Sequence, residues 1–157
     1  MSWCSKPSVL AAALLGAVAV GPVAAQGVRE TDLRVLGIAS EPVFGGAGVG
    51  YAWRDVRRTR ILGAVAVGAA GGALAGRADL AWHFLLDPAK RRGSAVYGGG
   101  GLTVQAGAGS VTPYILLVLG VENAPGGRGG SYVEVGVGGG VRAVIGYRWR
   151  KHRAPGR

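Results

Sequence analysis

The chain has 157 residues, one domain's worth, and its 31 glycines, 49% apolar content and mean hydropathy of +0.31 exclude both a disordered chain and a soluble helical bundle. A formal charge of +10, from 18 basic and 8 acidic side chains, raises nucleic acid as a partner. No nucleic-acid-binding motif accompanies those basic residues, so that class is set aside. Two readings remain: a β-rich protein whose strands tolerate glycine, or close-packed membrane helices.

The first segment, residues 1–25, has the layout of a secretory signal peptide. Lys6 supplies the positive start, Val9 to Val20 the apolar centre, and Gly21-Pro22 a break. Val23-Ala24-Ala25 places small residues before a cut at Gln26. Cys4, the one cysteine, lies inside this segment, so the exported chain holds neither a disulfide nor a thiolate metal site. Residues 26–150 then form the folded domain, and 151–157 a basic tail.

From Gly27 to Ala39 the pattern is feeble, and "DLRVLGIAS" offers at most one short strand around Leu33 to Ala39. Alternation is clear from Val43 onward. Val49, Tyr51 and Trp53 share one face, with Gly46, Gly48, Gly50 and Arg54 on the other. After the polar "DVRRTR", Ile61, Val65 and Val67 share a parity. "GRADLAWHFLLD" follows: Arg77, Asp79 and His83 face one way, and Ala78, Leu80, Trp82, Phe84 and Leu86 the other.

Beyond the turn "DPAKRRG", Val96, Leu102 and Val104 oppose Tyr97, Thr103 and Gln105. "VTPYILLVLGVE" is apolar on both parities, but Thr112, Tyr114 and Glu122 align. After "NAPGGRGG", Val133, Val135 and Val137 oppose Tyr132 and Glu134. In the last segment Val141, Ala143, Ile145, Tyr147 and Trp149 oppose Arg142, Arg148 and Arg150.

These segments have the length a tilted strand needs to cross a bilayer. A water-soluble sandwich would put Lys, Glu, Thr and Ser on its polar face; here that face is mostly glycine with isolated charges. It reads as a cramped interior, and the apolar face as the side in lipid. Arg77, Asp79, His83, Glu122, Glu134, Arg142 and Arg148 are then expected to form an interior charge network, because buried charges need partners. Tyr51, Trp53, Trp82, Phe84, Tyr97, Tyr132, Tyr147 and Trp149 lie beside turns at one end, and are expected to form an interfacial aromatic girdle.

On the signal peptide, the strands from Val43 to Arg150 and the closing "VRAVIGYRWR", the chain resembles the small outer-membrane β-barrel proteins of Gram-negative bacteria, of the OmpA-like transmembrane-domain type. The resemblance implies an all-β, antiparallel up-and-down barrel in the outer membrane. It also implies outer-membrane lipids and the barrel assembly machinery as partners. The basic "KHRAPGR" departs from the family's habit of ending on the aromatic strand. Counting Leu33 to Ala39 and a turn at Gly138 to Gly140 gives eight strands; reading Ser131 to Trp149 as one strand gives six. Eight is preferred, because a barrel in lipid must close. It puts the chain ends on the side of the longer loops, the reverse of the usual arrangement.

The helical alternative rests on Gly68, Gly72 and Gly76, a glycine-zipper spacing in an apolar run slightly short for a span. For chemistry, Asp79, His83 and Glu122 could serve a lipid-modifying enzyme, but Ser94, Ser110 and Ser131 lie near turns in no nucleophile motif. "GGGG" lacks the Lys-Ser/Thr of a phosphate loop, and two histidines are too few for a metal site. The expectation is a structural or interaction protein without cofactor, metal or reaction, a narrow solute channel being the other alternative.

Overall fold

The computed structural model describes residues 27–55, 58–107 and 109–151. The expected signal peptide, and the tail beyond Lys151, lie outside the described residues. Eight strands follow one another: β1 (Val28–Ala39), β2 (Phe44–Arg54), β3 (Thr59–Ala70), β4 (Ala73–Leu85), β5 (Ser94–Gly107), β6 (Ser110–Asn123), β7 (Gly129–Val137) and β8 (Val141–Lys151). Each pairs antiparallel with the next, and β8 pairs with β1 to close the barrel. Gly68, Gly72 and Gly76 fall on β3, on the following turn and on β4, so the zipper spacing builds a hairpin and not a helix pair.

Following ladder partners from Arg29 through Trp53, Ile61, Trp82, Gly100, Leu117, Val137 and Val141 returns to β1 at Ala39. That stagger tilts the strands by roughly 40°, the range small barrels adopt. Outward positions are apolar. Leu33, Val35, Val49, Val65, Leu80, Ile115 and Ile145 are all exposed, while every alternate residue faces a filled interior. Among the described residues, no Asp, Glu, Lys or Arg points outward from a strand between the rim residues Arg29 and Lys151 and the opposite end. Such a wall is stable in acyl chains and not in water.

The two rims differ. At one, β1 begins and β8 ends, and the connections span 55–58, 86–93 and 124–128. We call this the loop rim. At the other, the tight rim, the connections are only 40–43, 71–72, 108–109 and 138–140. The unusual sidedness expected from the eight-strand count is therefore present. The tight rim is also uneven: β6 pairs with β7 only from Leu117 to Glu122, so its earlier residues run past the end of β7. Pro113 sits in that stretch, opposite Val104 of β5 and with no β7 partner on its other side.

Inward glycines allow this closure. A Cβ on Gly48 would lie 2.7 Å from the Ala66 Cα on β3, and one on Gly101 2.8 Å from the Ala81 Cα on β4. Neighbouring backbones bend together at these corners more sharply than any side chain permits. Outward Gly63, by contrast, has nothing within 4 Å of such a Cβ.

β1 departs from its expected weakness. It runs the full Val28–Ala39 with unbroken alternation, placing Glu30, Asp32, Arg34, Leu36 and Ile38 inside. The polar residues that blurred its pattern are the ones the interior uses.

Candidate functional site

All seven residues of the expected charge network are inside the barrel. Arg77, Asp79 and His83 come from β4, Glu122 from β6, Glu134 from β7, and Arg142 and Arg148 from β8. They are joined by Glu30, Asp32, Arg34, Arg60 and Arg150, also buried. Among the described residues, five buried carboxylates thus meet six buried guanidiniums in the barrel's interior.

The network has two centres. Near the loop rim, Glu122 Oε2 accepts from Arg60 Nη2 at 2.6 Å, Arg148 Nη1 at 2.8 Å and Arg150 Nη2 at 3.2 Å. Glu30 accepts from Arg150 Nε at 3.1 Å. Arg60 Nε lies 2.7 Å from the other Glu30 oxygen, close enough for an ion pair although not aligned for a hydrogen bond. Half-buried Arg54 adds a fourth cation, 3.5 Å from Glu122. Four arginines around two glutamates leave this mouth of the barrel with an excess of positive charge. The loop above is tied to it, since Ala124 and Pro125 carbonyls accept from Arg150 and Arg54.

Farther in, Arg142 bridges Asp79 and Glu134, each at 3.0 Å. Asp79 also accepts from Thr103 at 2.6 Å and from Arg77 at 3.1 Å, and Arg77 reaches the Gly138 carbonyl of the tight turn at 2.7 Å. Asp32 takes a two-pronged pair from Arg34, both contacts 2.8 Å, and a hydrogen bond from the Tyr132 hydroxyl. Burying such charges is tolerable only because each carboxylate is surrounded by donors. Arg34 Nη1, Arg60 Nη1 and Arg148 Nη2 are buried with no hydrogen-bond acceptor among the described residues.

Two of the expected girdle aromatics are in this interior. Tyr97 is 0% exposed, donates to Glu134 at 3.2 Å and lies under the Arg60 guanidinium. Tyr132 is buried between Arg34 and Arg148. Their nearness to turns suggested the girdle, but their parity opposite Val96 and Val133 decides the matter, since a strand cannot turn one side chain against its pleat. The other six, Tyr51, Trp53, Trp82, Phe84, Tyr147 and Trp149, face outward near the loop rim. Trp82 stacks with Phe84, and Tyr147 meets Trp149 edge-on. The tight rim has no outward aromatic among the described residues.

Arg60 belonged, in the sequence, to a run of turn-like basic residues, yet it is completely buried. The signal was available: Arg60 is opposite in parity to Ile61 and matches Leu62 and Ala64. Beside Arg77 and Arg142 at the tight-rim end, Leu36, Ile38, Phe44, Ala75 and Val144 pack as one apolar cluster. His83 stacks on Tyr97 at 5.0 Å and lies 3.9 Å from Glu134. Ser94, Ser110 and Ser131 are all exposed, so none shares its chamber.

An apolar wall, a charged interior and eight antiparallel strands closed on themselves define a small membrane-spanning β-barrel. The fold is similar to that of the N-terminal β-barrel domain of Pseudomonas aeruginosa OprF, with a TM-score of 0.61 at 11% identity, over 80% of this chain and 100% of that one. It is also similar to Neisserial surface protein A, with a TM-score of 0.52 at 12% identity, over 80% of this chain and 97% of that one. These likenesses are of fold. No family model matches the sequence, and no curated protein sequence does.

Proposed function

We propose that the protein is an outer-membrane barrel with a structural or interaction role, which neither conducts solutes nor carries out a reaction. One observation carries the reading: the interior is filled by an ion-pair lattice that runs from the loop rim to the Gly138 carbonyl at the tight rim, with an apolar cluster beside its inner end. A solute would have to displace Glu122 from three arginines and then either part Arg142 from Asp79 and Glu134 or push aside Leu36, Ile38 and Phe44. Eight-stranded barrels are just wide enough for side chains to fill. The outer-membrane location is supported by the likeness in fold to the small outer-membrane barrels, and with it come the expected partners, outer-membrane lipids and the barrel assembly machinery.

The test has two parts. The protein should collect in the outer-membrane fraction and migrate differently on SDS electrophoresis before and after boiling. Reconstituted in planar bilayers, it should show no stepwise conductance. Regular single-channel steps in the native protein would replace this reading with that of a narrow channel.

A further inference from the structure

The loop rim is basic, and the tight rim is almost free of charge. Exposed Arg29 and Lys151 stand on the paired first and last strands, with Arg58, the run Lys90 to Arg92, and Arg128 in the loops. Asp55 and Asp87 are the carboxylates of those loops. At the tight rim, Glu41 is the one ionisable residue in the turns. The arginine-rich mouth behind the loop rim adds to the same potential. The six outward aromatics share that end, at the height where rings settle among headgroups.

Directly below part of this rim the wall is dented. An open groove of about 260 Å³ runs over Gly63, bordered by Thr31, Val49, Tyr51 and Val65. Ladder pairs place it: Tyr51 is opposite both Thr31 and Gly63, and two residues toward the rim Trp53 is opposite Arg29. Arg58 stands just before β3, the strand that carries Gly63. Two exposed arginines, Arg29 on β1 and Arg58 in the loop before β3, thus stand on the loop-rim side of this groove, on the strand ends that border it.

We propose that this is a seat for one anionic phospholipid of the loop-rim leaflet, its phosphate held by Arg29 and Arg58 and an acyl chain lying over Gly63. The charge selects the headgroup, because guanidinium groups pair with phosphate oxygens. The missing side chain at Gly63 makes room for the chain. The inference rests on the membrane-barrel reading above.

The full chain, refolded into phosphatidylcholine vesicles, supplies the test. Trp53 lies beside the seat, and Trp3, Trp82 and Trp149 are replaced by Phe so that it alone emits. Quenching is compared between phosphatidylglycerol and phosphatidylcholine brominated on their acyl chains, each added at the same small mole fraction. Brominated phosphatidylglycerol should quench with roughly tenfold higher relative affinity. Arg29→Gln with Arg58→Gln should abolish that preference. Gly63→Leu, which has open space to fill, should reduce it with both charges kept. Equal quenching by the two lipids, or a preference that survives both variants, overturns the seat and leaves the barrel standing. A chain quenched by neither lipid, with migration unchanged by boiling, removes the membrane reading itself.

Discussion

Arg60 on β3 and Glu122 on β6, 62 residues apart in sequence, meet across the barrel interior at 2.6 Å. The same glutamate oxygen receives Arg148 and Arg150, both on β8, so one carboxylate ties β6 to two other strands. A hub of this kind is worth little compared with an apolar core of equal volume, but removing it leaves several cations buried without an anion.

Glu122→Gln keeps the size of the side chain and deletes its charge. It should lower the stability of the folded barrel by about 3–5 kcal/mol. The midpoint of urea unfolding in vesicles measures this, and a midpoint within error of wild type would show that Glu30 alone neutralises the four arginines.

Asp79 and Arg142 should be energetically coupled. The cycle of Asp79→Asn, Arg142→Met and the double variant should return an interaction of about 0.5–3 kcal/mol, since the two share a direct 3.0 Å contact in the interior. Additive single effects would place that ion pair among those worth nothing.

The glycines divide into two kinds, and substitution should separate them. Gly48→Ala forces a methyl group against Ala66 and the Val65 carbonyl, and should cost about 1–3 kcal/mol. Gly63→Ala meets nothing within 4 Å and should be neutral or slightly stabilising. Thermal unfolding followed by the boil-dependent mobility shift compares the pair directly.

Tyr97→Phe removes only the hydroxyl that donates to Glu134 at 3.2 Å. A loss of about 1–2 kcal/mol is expected, because Glu134 keeps Arg142. A Tyr97 in the girdle would have given no such loss, so the variant also tests the side on which this ring lies.

Much of this was legible in the alternation. From β2 to β8 the outward and inward sets could be read directly, because glycine and isolated charges on one parity are hard to place anywhere but a narrow interior. β1 was obscured by its own function. Its inward Glu30, Asp32 and Arg34 lie between outward Arg29 and Thr31, so both parities look polar until Leu33. Arg60 was hidden among Arg57, Arg58 and Thr59, where a loop and a strand end look alike. Tyr97 and Tyr132 were placed by distance from a turn when parity was the stronger constraint. What no local pattern contains is partnership: that Glu122 holds Arg60 follows only from the curvature that brings β3 opposite β6.

The seam between β1 and β8 has a kinetic meaning. The other seven strand pairings join neighbours along the chain, so each is a hairpin that closes a short loop. The seam must instead wait for both ends of the sequence, and contacts of such long range form late. Until then, the sheet has two bare edges, a state prone to pairing with other chains. Glu30 and Arg150, 120 residues apart, lie on those two edges and find each other only when the ring shuts. A foreign strand added to either edge would not supply this partner, so the contact is one that the chain gains only by closing on itself, beside the pairs that Glu30 makes with Arg60 and Arg150 with Glu122.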